Sequence, residues 1–277
     1  MRNFPIIENI KLKNIHSFFK MVCSDTFEFL GETHNFWEMM YVIKGSLCVS
    51  ADERIYQLSE GQIIFHKPME LHKFYITDKK GAEILVFSCD AEGSLCSFFE
   101  EKVFTLSSMQ QGLLRDLIGY AEKYAENTDD VYGRYLSACN TEETYSQTVS
   151  LYIKRLMLSL FENGNVLPVL NTNDSSAFTR AVRYMNDNIS LNLSVDEIAD
   201  YMNLSVSSLK RIFSRYAGMG VHKYFLKLKL KNAAEMLENG FSVTSVGDRL
   251  GFSSQGYFTN VFKREIGLPP SQYKKGL

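Results

Sequence analysis

His34, Trp37, Glu38 and His72 are the residues of the first hundred whose types and spacing could do chemistry. An imidazole and a carboxylate four residues apart, with a second imidazole further on, could converge on a divalent ion. The same groups could instead line a pocket. The Glu38 carboxylate is short and accepts hydroxyl hydrogen bonds from a polar ligand. Trp37, the single tryptophan, could stack on that ligand or simply fill a rim or core. A second set lies near the C-terminus: Ser205, Val206, Ser207, Ser208, Lys210, Arg211 and Ser214, then Ser253, Ser254, Gln255, Gly256, Thr259, Asn260 and Lys263. Cations and short polar donors on the outer face of a helix suit phosphate oxygens and base edges, and an arginine can take both acceptors of a guanine at once.

The elements that must position this second set are written twice. Residues 193–213 read LSVDEIADYMNLSVSSLKRIF and residues 243–262 read VTSVGDRLGFSSQGYFTNVF. Ile198-Ala199-Asp200 matches Val246-Gly247-Asp248, and Met202 to Ser205 matches Leu250 to Ser253, at an offset of 48. After one extra residue Leu209, Phe213, Gly218 and Tyr224 match Phe258, Phe262, Gly267 and Tyr273 at 49. A repeat of this kind is one supersecondary unit used twice, and its pattern is a helix-turn-helix. Ser194 followed by Glu197 is a capping box that opens a helix. Val195, Ile198, Ala199 and Met202 give that helix a buried face. Asn203 and Gly251 are the residues that enter a left-handed turn most cheaply. Leu204 and Phe252 plug the corner, and Ser205 and Ser253 stand where a hydroxyl caps the next helix. Ala199 and Gly247 are small enough for the second helix to cross closely.

On these residues the chain closely resembles the AraC/XylS family of bacterial transcription regulators. The resemblance covers roughly 175–277, including Gly218-Met219, Tyr224, Ala233 through Leu237 and the closing stretch GFSSQGYFTNVFKREIGLPPSQYKK. It implies a DNA-binding protein, with double-stranded DNA, a small-molecule effector and RNA polymerase as partners and a homodimer as the working form. The sequence departs from the family at Gly247, Asn260 and Pro269, where Ala, Arg and Ser are usual. Gly247 should loosen its helix by up to about 1 kcal/mol relative to Ala. Asn260 removes a cation from the second recognition helix, so the first copy is expected to read more of the base sequence.

A net charge of −2 argues against nucleic acid until it is divided. Residues 177–277 hold 14 Lys/Arg against 8 Asp/Glu, whereas residues 1–176 hold 16 against 24. The basic half is the half with the repeat, as phosphate binding requires. The cysteines at 23, 48, 89, 96 and 139 are odd in number and never in a Cys-x-x-Cys pair, which fits free thiols in a reducing compartment. No signal-peptide core opens the sequence and no apolar run approaches a membrane span, so a cytoplasmic protein without a membrane partner is expected.

Before the repeat, short apolar runs at Met39–Ile43, Leu47–Val49, Ile63–Phe65, Phe74–Ile76 and Ile84–Phe87 alternate with Gly and charged punctuation. Such spacing predicts an antiparallel barrel or sandwich. His34-Asn35-Phe36-Trp37-Glu38 with Gly45, and Gly61 with Pro68 and His72, resemble the two cupin motifs. The resemblance places His34, Glu38 and His72 where metal-binding cupins hold ligands, with Glu32 standing in for a further His. In sensor barrels of this sort those positions line a pocket, so neither a metal nor another cofactor is expected. Tyr41 and Phe65 are expected in the barrel interior.

Two helices, 107–125 and 144–161, should follow. The second has Thr148, Leu151, Tyr152, Arg155, Leu156, Ser159 and Leu160 on one face, and the family resemblance favours a dimer contact for it. The expected organisation is an α+β two-domain chain. Residues 1–162 form a cupin-like antiparallel β-barrel with trailing helices, 163–176 a linker rich in Asn, Ser and Gly, and 177–277 an all-α domain with two helix-turn-helix motifs. The function expected is sequence-specific DNA binding controlled by a small molecule, a sugar or other polar metabolite. A metal-dependent cupin enzyme with an accessory DNA-binding domain is the rival. Against it stand Glu32 in place of a histidine and the lack of a nucleophile or paired acid and base near His34 or His72. An architectural DNA-binding protein with an inert barrel is the third reading.

Overall fold

Period-two alternation assigns the faces of the N-terminal strands. They are β1 (Lys11–Cys23), β2 (Glu28–Glu32), β3 (Trp37–Lys44), β4 (Ser46–Ala51), β5 (Arg54–Ser59), β6 (Gln62–His66), β7 (His72–Ile76), β8 (Ala82–Glu92), β9 (Val103–Thr105) and, after two helices, β10 (Asn165–Leu167). In this computed structural model, which describes residues 5, 7–123, 144–167 and 173–273, the strands form two antiparallel sheets. One runs β1-β8-β3-β6-β9-β10 and the other β2-β7-β4-β5. Met40 and Val42 of β3, Ile84 and Val86 of β8, Leu47 and Val49 of β4 and Phe74 of β7 meet in one buried cluster between the sheets. Each such side chain taken out of water contributes roughly 1.5–3 kcal/mol.

The intervening residues of β3 point the other way. Trp37, Met39 and Tyr41, with Phe65, Leu85 and Phe87, form a second cluster on the outer face of the six-stranded sheet. Two helices cover it, α1 (Ser108–Glu122) and α2 (Tyr145–Asn163), through Leu114, Leu117, Val149, Ile153, Leu156 and Leu160. This corrects the expectation that Tyr41 and Phe65 lie inside the barrel. They share parity with Trp37 and Met39, and so lie on the helix-covered face.

The helix α2 is also turned relative to the stripe expected of it. Its buried line is Val149, Ile153, Leu156, Met157 and Leu160, while Leu151 and Arg155 face solvent. The fully apolar i, i+4, i+7 set outcompetes a stripe containing Thr148 and Arg155. The inner face is therefore taken up by the sheet, and Gln110 of α1 ties the pair by donating to the Ser159 carbonyl and hydroxyl, both at 3.2 Å. Residues 124–125 and Cys139 lie outside the described residues. The other four cysteines are buried, and none forms a disulfide among the described residues.

The chain divides into two compact units, Met1–Leu170 and Asn171–Leu277. The second contains α3 (Asn173–Asp187), α4 (Val195–Met202), α5 (Val206–Ala217), α6 (Val221–Glu238), α7 (Val243–Arg249), α8 (Gln255–Ile266) and α9 (Pro270–Tyr273). The stretch 163–176 carries more structure than a linker reading implies. Residues Asn165–Leu167 pair with Val103–Thr105, and α3 starts at Asn173. The Asn, Ser and Gly content concealed both, because Val166 and Leu167 supply β-compatible side chains and the Asn-Asp-Ser run suits the first turn of a helix. No helix among the described residues is long and apolar enough to cross a membrane.

Candidate nucleic-acid interface and sensor site

The two helix-turn-helix motifs share the hydrogen bond that closes their corners. In the first, the Ser194 hydroxyl accepts from the Glu197 amide at 3.1 Å and the Glu197 carboxylate accepts from the Ser194 amide at 2.7 Å. The helix α4 stops at Asn203, whose φ of 53° is left-handed, and Gly251 stands at φ 65° in the second copy. The amide of Leu204 then donates to Ala199 and that of Phe252 to Gly247, each at 3.0 Å, so the offset of 48 persists through the corner. At Gly251 a Cβ would fall 1.8 Å from the Ser190 carbonyl oxygen, so no larger residue fits there.

The offset changes one step earlier than expected, at the cap itself. The hydroxyl capping α5 is Ser205, which accepts from the Ser208 amide. The hydroxyl capping α8 is Ser254, which accepts from the Tyr257 amide. Ser253 is therefore the inserted residue and caps nothing, a correction to its assignment as the second cap. Leu209, Ile212 and Phe213 bury one side of α5, and Phe258, Val261 and Phe262 bury one side of α8.

Of the residues expected to face DNA, Ser205, Ser207, Lys210, Arg211 and Ser214 are exposed on α5 and its cap, while Val206 and Ser208 are half-buried. Ser205 Oγ also contacts the hydroxyls of Ser207 and Ser208 at 3.0 and 2.9 Å. Neither Lys210 nor Arg211 meets a carboxylate among the described residues, so both cations stay available to an outside anion. On α8 and its cap, Ser253, Ser254, Gly256, Asn260 and Lys263 are exposed and Thr259 is half-buried. Gln255 departs from the outward set. Its Nε2 donates to the Val243 carbonyl at 2.9 Å, and its amide lies over Gly247. Tyr257, 45 % exposed at the same helix end, was missed because its spacing reads as core.

The Gly247–Gln255 contact makes a prediction. A Cβ at Gly247 would come within 2.7 and 2.9 Å of the Gln255 amide atoms, the mobile end of a side chain. Gly247→Ala should improve the helix by up to about 1 kcal/mol and lose a hydrogen bond of about that net worth. Urea unfolding of residues 171–277 should change by less than about 1 kcal/mol. A loss above about 2 kcal/mol would show that Gln255 cannot move aside.

In the sensor unit the structure brings together His34, Glu38 and His72 with Glu32, which the cupin resemblance had put in place of a further His. Glu38 stands second in β3 with its side chain turned away from Trp37, His72 opens β7, Glu32 closes β2, and His34 lies in the β2–β3 connection. His72 Nε2 lies 3.2 Å from Glu38 and 3.6 Å from Glu32, and His34 Nε2 lies 3.6 Å from Glu38. These are charge contacts without hydrogen-bond alignment, since both Nε2 atoms are buried with no hydrogen-bond partner among the described residues. The Nδ1 atoms are engaged: His34 donates to the Phe36 carbonyl at 3.1 Å and His72 to the Glu70 carbonyl at 3.2 Å. Phe36 stacks on His34 at 3.8 Å, and His66 stacks on His72 at 4.2 Å.

Burial works against the carboxylate of Glu38, but the His34 and His72 contacts outweigh it and hold its pKa well below the usual range. Burial also disfavours charge on His72, yet Glu32 and Glu38 push its pKa up to about 10. Burial lowers the pKa of His66 well below the ordinary value, and its Nδ1 lies 2.7 Å from Glu70. His66 was missed in the sequence, although its register opposite Glu38 follows once β3 and β6 are paired. Trp37 does not join this cluster. It is 5 % exposed in the core beneath α1 and α2, because it is one residue from Glu38 in a strand and so on the opposite face.

Comparison with known proteins agrees with both halves. A family model described as a helix-turn-helix domain matches residues 198–276, and one described as an AraC-like ligand binding domain matches residues 15–94. The HTH-type transcriptional regulator YfiF of Bacillus subtilis is 24% identical over 252 residues, spanning 87% of this chain and 77% of that protein. The HTH-type transcriptional activator RhaS of Enterobacter sp. strain 638 is 23% identical over 260 residues, 88% of this chain and 86% of that protein. The HTH-type transcriptional regulator ArgR of Pseudomonas aeruginosa is 32% identical over 125 residues, 43% and 38%. These relatives are regulators and not enzymes, which removes the metal-dependent cupin enzyme as a reading. With an AraC-like ligand-binding domain in front of a doubled helix-turn-helix, the chain belongs to the AraC family and is a ligand-controlled, DNA-binding transcription regulator.

Proposed function

We propose that α5 and α8 enter successive major-groove segments of an operator, and that a sugar or other polar metabolite bound at His34, Glu38 and His72 controls this binding. The observation that carries the sensor half is the convergence of Glu38 from one sheet and His72 from the other, both buried, at one end of an otherwise apolar interior. A buried carboxylate flanked by imidazoles offers acceptors and donors to hydroxyl groups, as a polar-ligand pocket needs. The working form is a homodimer through the outer face of α2, where Leu151 and Leu158 stand two turns apart and exposed. RNA polymerase is the partner that the operator-bound form addresses.

The test of the sensor half is operator affinity of the full chain titrated with candidate polar metabolites. One of them should shift that affinity, and Glu38→Ala should remove the shift. A response that survives Glu38→Ala moves the effector elsewhere.

The two recognition helices should not contribute equally. Lys210 and Arg211 project from α5 without carboxylate partners among the described residues, whereas α8 presents Gly256 and Asn260 and keeps Gln255 folded back. Loss of a bidentate arginine contact to a base costs about 1–3 kcal/mol. Arg211→Ala should therefore lose more affinity and more base discrimination than Asn260→Ala. Binding to a panel of single-base operator variants decides the ranking: it fails if Asn260→Ala is costlier or Arg211→Ala leaves base preference unchanged.

A further inference from the structure

We infer that Lys229 is a positioning residue for the two recognition helices: it clamps the corner of the second helix-turn-helix to the segment leading into the first. Its Nζ donates to the Leu250 carbonyl at 2.7 Å and to Asn192 Oδ1 at 3.3 Å. Leu250 is the C-cap of α7, and Asn192 lies two residues before Ser194, the N-cap of α4. One side chain of α6 therefore holds both motifs. The backbones meet at the same joint, where Gly251 stands against the Ser190 carbonyl with no room for a Cβ.

The chemistry of the clamp is not what packing alone would choose. Lys229 is 4 % exposed, and no carboxylate among the described residues offsets its charge: burial pushes its pKa down to about 8. Taking an ammonium out of water is costly, and an apolar side chain of similar volume is often as stable or more so. Stability therefore does not account for a lysine here. What the ammonium supplies is direction. It satisfies a carbonyl at the C-terminus of α7, where a cation is favoured. It also lies over the Phe225 ring at 5.1 Å and the Phe252 ring at 5.6 Å. Phe252 plugs the second corner, so that corner is held by its backbone and by its ring at once.

The joint matters because each motif has a core of its own. Phe178, Phe213 and Tyr224 pack together around the first, and Phe258, Phe262 and Tyr273 around the second. Each can keep its recognition helix in shape while the two turn against each other. The consequence for DNA rests on the reading that α5 and α8 enter successive major-groove segments, about 34 Å apart along the duplex. One base pair added between the half-sites moves the second by about 3.4 Å and turns it by about 34–36°. A clamped pair rejects that change, and a hinged pair accepts it.

The experiment uses the full chain as wild type, Lys229→Met, Lys229→Arg and Asn192→Ala. Methionine keeps the volume of the stem, and a cleft of about 400 Å³ lined by Asn192, Phe252 and Lys229 itself lets water replace the ammonium. The fold should therefore survive, as circular dichroism checks. Spin labels are carried on ketone-bearing residues introduced at Arg215 and Arg264, exposed in the last turns of α5 and α8, which leaves the native cysteines unmodified. Pulsed dipolar spin resonance of the free protein should give one narrow distance distribution in wild type and in Lys229→Arg, and a markedly broader one in Lys229→Met. Asn192→Ala, in an exposed loop, removes one acceptor and should broaden it less. On operators lengthened by one base pair between the half-sites, wild type should bind at least about tenfold more weakly, the low side of what linked contacts gain, and Lys229→Met less than about threefold. A distribution as narrow as wild type in Lys229→Met, or in Asn192→Ala where the first variant does not fold, overturns the clamp. So does a broadened Lys229→Met that remains as selective for spacing as wild type. Wild type indifferent to spacing, with Lys229→Met broadened, leaves the clamp standing and sinks instead the reading of two helices in successive grooves.

Discussion

Operator binding by residues 171–277 should weaken about a thousandfold between roughly 50 and 200 mM monovalent salt, as expected for about six neutralised phosphates at a log–log slope near −5. The expectation rests on how charge is placed and not on its total. The chain as a whole carries −2, yet 14 Lys/Arg stand against 8 Asp/Glu in residues 177–277. Lys210, Arg211 and Lys263 lie exposed on the two recognition helices, while the Arg264 guanidinium is already engaged by Glu265 at 2.8 Å. The capped starts of α5 and α8 add backbone amides that favour phosphate. The fragment is a compact unit by itself, so the acidic sensor half can be left out of the measurement. An affinity that is flat over this salt range, in a fragment that circular dichroism shows to be helical, would mean that the basic face is not the contact surface.

What the sequence revealed and what it hid follow from the range of the interactions involved. The C-terminal unit was legible in detail because its determinants are local: the Ser194–Glu197 box, the left-handed residues Asn203 and Gly251 and the apolar spacing lie within a few residues of each other. Repetition then supplied a second, independent copy of the same evidence. The slip at the cap, Ser253 for Ser254, came from an inserted residue that adjacent serines conceal, and Gln255 was misplaced because its fold-back onto Val243 is a contact between two helices. In the sensor unit the apolar runs revealed β3, β4, β6, β7 and β8. Strands β1, β2, β5, β9 and β10 were not seen, and β1 shows why: its burial alternates imperfectly across two register shifts against β8.

The facing of β3 was the costlier ambiguity. The run Trp37–Ile43 is apolar on both faces because helices cover one side and the second sheet covers the other, so alternation could not tell which parity held the pocket. His34, Glu38 and His72 were singled out through the resemblance of their segments to the two cupin motifs. Their relation to His66 depends on strand pairing, which is non-local.

Phe213→Ala should cost about 3–5 kcal/mol, the range for removing a buried phenyl ring, and should abolish operator binding by unfolding the first helix-turn-helix. Phe213 is fully buried and sits edge-on to Phe178 at 5.1 Å and to Tyr224 at 5.2 Å. It thereby joins α5 to α3 and to α6, and the outward aim of Lys210 and Arg211 depends on that anchoring. Domains of this size are stable by only about 5–15 kcal/mol, so the loss is a large share of the total. Scanning calorimetry of the full chain should show the transition of the DNA-binding unit lowered by about 15 °C or more. The transition of the sensor unit should stay in place, because Phe213 contributes nothing to its core. Lys210→Ala supplies the contrast. An exposed cation with no carboxylate partner among the described residues should change stability by no more than about 0.5 kcal/mol while lowering the salt slope by about one unit. A core residue would thus lose DNA through the fold, and a surface residue through the contact. If Phe213→Ala melts like wild type, or lowers both transitions together, the aromatic cluster is not the independent core of the DNA-binding unit.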